Sequence, residues 1–584
     1  MIENIWQFPN QEFNEVDFGV ELYPQIQHIL MSRGITTKEQ FQKLVQHRFD
    51  DLYDPFLMKD MDKAVDRLGK ALDEHQRILV YGDYDVDGTT AIALVYSFLK
   101  DRNADVDFYV PDRYSEGYGV SEKGIREAIE HNVQLIITLD CGIKALSTIE
   151  MAQSTGIDVI VCDHHNQGQK LPNAYAVLDP KRHDCEYPFK ELSGCGVGYK
   201  LLSAFCRKYG IPEKENLNRY LDYLAISTAA DIVPIVGENR VYMYYGLMKM
   251  IQKPLLPIKT MLAYSKLIFL YKNGDGEEQI ICPNGSLTVS DIVFKIAPKI
   301  NAAGRMKNAR DAINLLLATD ETEALQYFTT VVEQNSERQK EEKRICEEAF
   351  AMIEENTAAQ SLFSTVLYRD SWHKGVVGIA AAKVIEQYFN PTVILCGEGD
   401  VISGSARSVG DFDLYSAIEK CSSTLTAFGG HRHAAGLSLR KENLELFKQQ
   451  FEEAVKSTIT PSQQRPTIHV DEVLTLAEVT NELYNQIQYL APFGPDNMDP
   501  VFVIRNVVPD TIYIMGNDNN HVKLSFKQNE STYISAVGFG LADKWRSLPP
   551  KSAIDICFTL GINVFRGNVS LQLQLKDFRE SAKF

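Results

Sequence analysis

The chain has 584 residues, of which 45% are hydrophobic and 24% are charged. This length is too great for one hydrophobic core and predicts about three or four domains, which excludes a small scaffold held by disulfides. The formal net charge of -18 at pH 7 argues against a protein that coats nucleic acid, although it is compatible with a narrow basic channel.

The chain carries no signal for membrane insertion or for a disulfide framework. No run approaches the ~20 consecutive apolar residues of a membrane span, and the start MIENIWQFPNQEF lacks the basic and apolar regions of a signal peptide. The 10 cysteines are scattered from Cys141 to Cys557 without a CxxC pair, so we expect reduced, mostly buried thiols and no structural zinc. These features predict a cytoplasmic protein.

After an N-terminal region of mixed pattern, residues 1–60, short β-branched runs alternate with helical patterns such as Thr89–Leu99 and Lys123–Glu130. The strand candidates are Ile78–Tyr81, Val106–Val110, Leu135–Leu139, Val159–Cys162 and Ala176–Leu178. This alternation predicts βαβ units and a mostly parallel sheet. We assign residues 61–320 to this first α/β domain.

Three further segments follow the first domain. Residues 321–356 are highly charged and carry apolar residues at helical spacing, which predicts a long connecting helix. Residues 357–460 repeat an α/β pattern and end near a polar linker. Alternating apolar residues within 467–584 predict an antiparallel β module, a small barrel of the OB type. The expected fold class is two α/β domains joined by a long helix, with a C-terminal β-barrel OB-fold domain.

The strongest chemical signal lies in the first sheet. RILVYGDYDVDGTT places Asp83, Asp85 and Asp87 just beyond an apolar strand, and two later strands end at Asp140 and at the histidine pair of CDHH. Ligands bind at the carboxyl ends of strands in open α/β sheets, so these side chains can meet in one crevice. A lone aspartate after a strand is usually a cap or turn former, but this set predicts two divalent ions, Mn²⁺ or Mg²⁺, about 3.5–4 Å apart.

Four motifs, DYDVDG, TLDCGI, CDHHN and STAADIVP, resemble those of the DHH phosphoesterase family. The match implies a set of metal ligands: Asp85, Asp87, Asp140, His164 and Asp231. Family members often carry histidine where this chain has Tyr81, so either Asp83 supplies the missing metal contact or the first ion binds more weakly. His165 is expected to touch phosphate or to hold its neighbours.

Other segments resemble the subgroup of this family that digests single-stranded DNA. KIAPKINAAGRMKNA matches the end of its first domain, where Arg305 is expected to reach a substrate phosphate as a fixed fork donor. WHKGVVGIAA, GSARS and FGGHRHAAGL resemble the DHH-associated domain DHHA1. That likeness implies substrate contacts from Arg407, Gly430 and His431.

The loop PDRYSEGYGVS combines Arg113 with Tyr114 and Tyr118 after a strand of the first sheet. Tyrosines beside a cation suit the stacked bases of a single strand, whereas the alternative is that both rings pack against their own domain. We expect the strand to follow a local basic track between the two α/β domains, despite the net negative charge.

The resemblance implies a single-stranded-DNA-specific 5′-3′ exonuclease that hydrolyses phosphodiester bonds by two-metal catalysis in DNA repair and recombination. It also implies a monomer that works with a single-strand-binding protein and a helicase, without a membrane partner. Three alternatives stay open: a phosphodiesterase for short RNA or cyclic dinucleotides, a pyrophosphatase, and a non-catalytic replication scaffold. The OB module disfavours the first two, and the carboxylates retained at every matched position disfavour the scaffold.

Overall fold

The computed structural model describes residues 3–9, 16–275, 277–355, 361–516, 518–530, 532–549, 551–565 and 568–582. They form a first α/β domain, a long helix, a second α/β domain and a β-rich C-terminal domain. Within this part of the chain, no helix has both the length and the apolar character needed to cross a membrane.

Within the first domain, strands and helices alternate up to Cys162, as the sequence predicts. The N-terminal elements are β1 (Ile5–Gln7), α1 (Pro24–Ser32) and α2 (Lys38–Gln46). The strands of the first domain are β2 (Ile78–Gly82), β3 (Val106–Tyr109), β4 (Leu135–Leu139), β5 (Asp158–Cys162), β6 (Ala176–Leu178), β7 (Phe269–Lys272) and β8 (Glu278–Ile281). Its helices are α3 (Met61–Asp73), α4 (Val86–Lys100), α5 (Glu122–Glu130), α6 (Leu146–Ser154), α7 (Gly194–Lys208), α8 (Glu213–Asn216), α9 (Leu221–Ala230), α10 (Gly237–Gln252), α11 (Leu256–Tyr264), α12 (Val289–Asp291), α13 (Ala297–Met306) and α14 (Arg310–Leu317).

The main sheet of the first domain is parallel, with the strand order β3-β2-β4-β5-β6. Strands β2 and β4 are buried at every position, as expected for a parallel sheet covered on both faces. The chain leaves β2 toward one side for β3 and returns to the other side for β4. This reversal opens a crevice at the carboxyl ends of β2 and β4, which is the usual ligand position in an open sheet.

A single helix, α15 (Glu321–Glu355), connects the two α/β domains as predicted, and the expected boundary at residues 356–357 lies outside the described residues. The second domain contains β9 (Thr365–Tyr368), β10 (Thr392–Cys396), β11 (Val401–Arg407), β12 (Leu425–His431) and β13 (Ala434–Arg440), with helices α16 (Val377–Tyr388), α17 (Leu414–Glu419) and α18 (Leu444–Lys456). Its sheet order is β12-β13-β11-β10-β9, and only the β9–β10 pair is parallel.

The C-terminal domain contains the predicted β module. Its elements are β14 (Thr467–His469), β15 (Glu472–Val473), α19 (Asn481–Ile487), β16 (Val501–Val507), β17 (Thr511–Met515), β18 (His521–Lys527), β19 (Tyr533–Gly538), α20 (Ala542–Arg546), β20 (Ile554–Phe565) and β21 (Asn568–Glu580). Seven strands form one sheet in the order β15-β16-β20-β21-β19-β18-β17. The edge strands β15 and β17 do not pair with each other in the described ranges, so the expected barrel is not closed there. Helices α1 and α19 bury the apolar inner face instead.

The N-terminal region, which the sequence sets apart as residues 1–60, packs into the C-terminal domain. Ile26 of α1 and Phe41 of α2 share one hydrophobic core with Phe502 of β16. Strand β1 pairs in parallel with β14, and Trp6 Nε1 donates a hydrogen bond to Asp577 Oδ2 at 2.9 Å. Both ends of the chain therefore build this domain.

Candidate metal centre

Four strands of the first sheet are each followed by an aspartate at the same edge. Asp83 follows β2, Asp140 follows β4, Asp163 follows β5 and Asp179 follows β6, and all four side chains are buried. Asp140 has a φ of 59°, a left-handed conformation that is uncommon outside glycine. The crevice where the strand order reverses is therefore lined by carboxylates, as the sequence predicts.

Other crevice side chains project from helix ends. Asp85 is the N-cap of α4 and accepts a hydrogen bond from that helix's first turn at 3.1 Å, while Asp87 lies within the turn. Asp231 is the C-cap of α9. The Nε2 atom of His164 lies 3.1 Å from Asp140 Oδ1, 3.6 Å from Asp231 Oδ2 and 3.8 Å from Asp87 Oδ2. One imidazole thus faces three carboxylates.

Three overlapping groups of side chains have the spacing of a metal site. Within each group the ligand atoms lie no more than 4.8 Å apart. Among the described residues the groups are Asp83, Asp85 and Asp140; Asp87, His164 and Asp231; and Asp140, His164 and His165. Asp140 and His164 each belong to two groups, which is the kind of sharing that two-metal centres use.

Several buried ligand atoms lack a hydrogen-bond partner in the described part of the chain: Asp83 Oδ1, Asp140 Oδ1, Asp231 Oδ2 and both ring nitrogens of His164. Burial raises the pKa of Asp83, Asp140 and Asp231, and neighbouring carboxylates raise it further. Burial also lowers the pKa of His164 to about 4, which leaves a neutral ring at neutral pH. Carboxylates that repel one another beside a neutral imidazole fit hard divalent ions, and the imidazole favours Mn²⁺ over Mg²⁺.

The start of helix α7 fixes Asp87, a feature that the motif analysis missed. The carboxylate of Asp87 accepts hydrogen bonds from Gly194 N at 2.6 Å, Cys195 N at 2.8 Å and Ser227 Oγ at 2.6 Å. A Cβ atom added to Gly194 would lie 2.5 Å from Asp140 Cβ, so only glycine fits there. The signal in the sequence is the glycine-rich helix start SGCGVG, because helix N-termini stabilise anions.

Asp163 holds His165 in place. Its Oδ1 atom lies 2.8 Å from His165 Nδ1 and accepts the His164 backbone N–H at 2.8 Å, and its Oδ2 accepts the Ile143 N–H at 2.9 Å. Burial alone raises the pKa of Asp163, but the His165 hydrogen bond and the imidazole charges outweigh it and leave the pKa below its ordinary value. Asp163 is therefore a partner of the histidine pair and stands outside the three metal-spaced groups found among the described residues.

The hydroxyl of Tyr81 is held by the loop that follows β3. It accepts the Ser121 backbone N–H at 2.9 Å and donates to the Gly119 carbonyl at 3.2 Å. The ring is fully buried and stacks on Tyr109 with centroids 5.0 Å apart. The sequence left open whether Asp83 supplies the missing metal contact or the first ion binds more weakly. The position of Asp83 in a metal-spaced group agrees with the first explanation.

The two loop tyrosines lie at the edge of the crevice. The Tyr118 hydroxyl donates to the Asp140 carbonyl at 2.9 Å, and the Tyr114 hydroxyl donates to the Arg305 carbonyl. The two residues remain 55% and 39% exposed, respectively. Both hydroxyls are thus bound to the protein while the rings stay available on the surface.

A cluster of arginines faces the carboxylates. Arg305 lies on the last turn of α13, and its Nη1 donates to the Gly375 carbonyl of the second domain at 3.2 Å. Burial, together with the charges of Arg113, Arg407 and Arg338, lowers the pKa of Arg305 to about 10. Like charges held this close mark a site for anions, in line with the basic track expected between the α/β domains.

The second domain contributes Arg407 from β11 and Gly430 and His431 from β12, two strands that lie on either side of β13 in its sheet. Burial lowers the pKa of Arg407, and Arg113 of the first domain lowers it further. Gly430 has a φ of 152° and passes so close to the neighbouring strand that an added Cβ would lie 2.4 Å from the Ala434 carbonyl oxygen. The pKa of His431 is lowered by burial and by nearby cations that include His165. The predicted substrate residues of the second domain therefore face the crevice.

Comparison with known proteins assigns the family. Three family models match: "DHH family, N-terminal domain" at residues 77–228, "DHHA1 domain" at 359–457 and "RecJ OB domain" at 470–577. The single-stranded-DNA-specific exonuclease RecJ of Bacillus subtilis is 34% identical over 577 residues, which cover 98% of this chain and 70% of that protein. RecJ of Escherichia coli is 30% identical over 587 residues, covering 97% and 98%. The chain belongs to the RecJ family.

Solved RecJ structures share this fold. RecJ from Thermus thermophilus in complex with Mn²⁺ superposes with a TM-score of 0.82 at 23% identity, over 99% of this chain and 80% of that one. An exonuclease RecJ bound to manganese matches at 28% identity with a TM-score of 0.58, over 70% and 97%. The DHH resemblance, the DHHA1 resemblance and the C-terminal OB domain predicted from the sequence are thereby confirmed.

Proposed function

We propose that this protein is a single-stranded-DNA-specific 5′-3′ exonuclease that hydrolyses phosphodiester bonds with two divalent ions, Mn²⁺ or Mg²⁺, in DNA repair and recombination. The observation that carries the proposal is that a cluster of buried carboxylates faces a cluster of arginines, and the charge of neither cluster is balanced within itself. Buried carboxylates without partners need cations, and the arginines opposite them need anions. A phosphodiester between two metal ions and the arginines satisfies both needs. The curated relatives bear the name of this activity.

The proposed metal ligands are Asp83, Asp85, Asp87, Asp140, His164 and Asp231. Each belongs to at least one of the metal-spaced groups. When bound, the ions would polarise the phosphoryl oxygens and lower the pKa of a water ligand. The chain itself supplies rigid placement, because α7 fixes Asp87 and the Cys162 carbonyl fixes the Asp140 backbone.

The proposed substrate contacts lie around this centre. Arg305 and Arg407 would hold phosphoryl oxygens as fixed fork donors. Burial and neighbouring arginine charges lower the pKa of both groups, and a bound anion would offset these effects. His431 would donate to the same phosphate region, and Gly430 lets the β12 backbone come close. His165, oriented by Asp163 and half exposed, would contact the phosphate beside the ions.

The loop tyrosines and the C-terminal domain would hold the strand away from the reacting phosphate. Tyr114 and Tyr118 offer half-exposed rings on which terminal bases can stack. We further propose the domain division 61–320, 321–356, 357–460 and 467–584, a monomer in the cytoplasm, and cooperation with a single-strand-binding protein and a helicase that supply and unwind the strand.

An end-labelled oligonucleotide assay tests this function. The purified protein is incubated with Mn²⁺ and with matched single-stranded and duplex oligonucleotides labelled separately at each end, with an EDTA control. We expect nucleotides to be released stepwise from the 5′ end of single strands alone. Release from the 3′ end would overturn the polarity. If the DNA stays intact while dinucleotides offered as substrates are rapidly hydrolysed, the protein is a small-substrate phosphodiesterase. Phosphate release from pyrophosphate would indicate a pyrophosphatase.

A further inference from the structure

The loop of residues 111–121, called the substrate loop below, touches both the acidic crevice and the arginine cluster. Tyr118 donates to the Asp140 carbonyl at 2.9 Å, and Tyr114 donates to the Arg305 carbonyl. The Arg113 guanidinium lies 5.0 Å from the ring centre of Tyr84, the residue between Asp83 and Asp85. Residues 118–120 also form one wall of a cavity of about 200 Å³ beside the histidine pair. A shift of this loop would therefore move the groups that receive the strand.

The base of the substrate loop is held from below by Tyr81. The single hydroxyl of Tyr81 bonds to Ser121 N at 2.9 Å and to the Gly119 carbonyl at 3.2 Å, so it fixes the chain on both sides of Val120. Gly119 has a φ of 88°, a turn that leaves its carbonyl free to accept this bond. Residues 110–121, all within the described ranges, form no helix or strand. Turn bonds to Asp112 shape the middle of the loop, and the Tyr81 bonds tie its end to the sheet.

A second tyrosine completes the anchor. Tyr109, stacked on Tyr81, donates to Glu116 Oε2 at 2.7 Å, and Ser121 Oγ donates to the same carboxylate oxygen at 2.5 Å. Glu116 also accepts the Asp112 backbone N–H at 3.0 Å. The loop is thus tied to the sheet through the two stacked rings at the ends of β2 and β3.

The packing around Tyr81 holds its hydroxyl against the substrate loop. Its ring is wedged against α5 so tightly that a Cβ added to Gly124 would lie 2.6 Å from Tyr81 Cε2. The hydrogen of the hydroxyl and one of its two lone pairs are engaged by the loop. A buried phenol held by the loop is a poor ligand for a hard divalent ion, which prefers carboxylate oxygens.

We propose that Tyr81 is a positioning residue that fixes the substrate loop. DHH relatives often carry a metal-binding histidine at this position. Here the residue governs how the DNA strand is captured and leaves the affinity for metal unaffected. The effect on strand capture rests on the proposed function, whereas the anchoring of the loop does not. Two kinds of measurement therefore separate the two claims.

Hydrogen exchange tests the anchor without any reaction. Tyr81→Phe keeps the ring and its stacking but removes both hydroxyl bonds. Tyr199→Phe is the matched control, because Tyr199 is a buried tyrosine of the same domain whose hydroxyl donates to Asn218 Oδ1 at 2.7 Å, away from the loop. We expect faster amide exchange within residues 111–121 in Tyr81→Phe and not in Tyr199→Phe. Equal loop exchange in wild type and Tyr81→Phe would overturn the anchor.

Metal binding and kinetics test the consequence. Titration calorimetry with Mn²⁺ should give the same dissociation constants for wild type and Tyr81→Phe within about twofold. Because two buried hydrogen bonds are lost, KM for a single-stranded oligonucleotide should rise roughly tenfold while kcat changes by no more than about twofold. A loss of Mn²⁺ affinity, or a fall in kcat at constant KM, would place Tyr81 in the metal centre and overturn the proposal.

The outcomes distinguish this inference from the proposed function. If wild type shows no exonuclease activity while Tyr81→Phe frees the loop, the function fails and the anchor stands. If wild type digests single strands while Tyr81→Phe matches it in exchange and KM, the anchor fails and the function stands. Melting temperatures of both variants, measured in parallel, identify a global loss of stability, which would raise exchange throughout the domain and count against a local anchor.

Discussion

The acidic crevice of the first domain and the arginine cluster opposite it both hold buried groups of like charge. In the crevice, burial and crowding raise the pKa of Asp83, Asp140 and Asp231. In the cluster, burial and like charges lower the pKa of Arg305 and Arg407. Each cluster is unfavourable by itself, since like charges in a poorly solvated site repel one another.

The difference between the clusters lies in what each lacks. The crevice holds hard oxygen ligands and a neutral imidazole, so it is short of cations, whereas the arginines present fixed donors and are short of anions. Divalent ions and the phosphates of a strand supply the two deficits together. This also explains how a chain with a net charge of -18 can act on a polyanion: its surface repels the strand and one narrow site attracts it.

The largest expected effect follows from removing a shared ligand. Asp140→Ala should lower kcat by at least about 10³-fold, because two metal-spaced groups lose a member. Circular dichroism should show an intact fold, since the change relieves repulsion in the metal-free crevice. Asp107→Ala removes an exposed aspartate of the same sheet and should leave kcat unchanged. A folded Asp140→Ala enzyme with normal turnover would refute the assignment of the crevice.

The next effect tests the opposite cluster. Arg305→Ala should lower kcat/KM by about 10²-fold, and Arg305→Lys should recover only part of it, because a point charge replaces a bidentate donor. Mn²⁺ affinity measured by calorimetry should be retained in both variants. Arg310→Ala is the control, since Arg310 is exposed on the following helix. Full activity of Arg305→Ala would show that the cluster does not bind the substrate.

A smaller effect is expected from Asp163, which holds His165 in place and is not itself a proposed metal or phosphate contact. Asp163→Asn weakens the bond that orients His165 and should reduce kcat by roughly 10- to 100-fold. His165→Ala should cost about as much, and the double variant should be no worse than the more impaired single variant, because both remove one oriented imidazole. Additive losses in this cycle would mean that Asp163 acts independently of His165.

The smallest effect is a dependence of stability on pH that metal suppresses. A carboxyl group whose pKa is raised by folding keeps a proton that the unfolded chain has released, so stability falls as pH rises through that range. The pKa of Asp179 is raised by burial to about 7, and those of the crevice carboxyls are raised as well. His164, with its pKa lowered to about 4, adds stability with rising pH only below about pH 6.5.

Thermal melts above that point report the carboxyl contribution together with that of His165, whose raised pKa acts in the same direction. In EDTA, Tm should fall by a few degrees between about pH 6.5 and pH 8, and Asp140→Asn should reduce the fall. Saturating Mn²⁺ should remove most of it, because the ions replace the protons. A Tm that is equally pH-dependent with and without Mn²⁺ would place the ions elsewhere.

Much of the fold could be predicted because its elements carry strong local signals. The buried runs Leu135–Leu139 and Ala176–Leu178 became strands with the predicted bounds, and the charged stretch before residue 356 became one helix. The role of the first 50 or so residues could not be predicted, because their apolar positions complete a core formed by residues more than 400 positions later. Deletion of residues 467–584 is accordingly a poor functional test, since it would expose Ile26 and Phe41.

The candidate site could be predicted where side chains follow strands and not where the backbone takes part. Asp83, Asp140 and His164 converge as expected because parallel strands end at one edge. The contacts of Gly194 with Asp87 and Asp140 depend on where α7 packs, which periodicity does not determine. The orientation of Tyr81 toward the substrate loop was equally hidden, since a side chain at the end of a strand can turn either way.

The most direct test of the central claim is an anomalous difference map from crystals grown with Mn²⁺. The account predicts two peaks in the crevice, within coordination distance of the carboxylates that now lack partners, and close enough together to share Asp140. Mn²⁺ bound elsewhere, with those carboxylates still unpartnered, would contradict it.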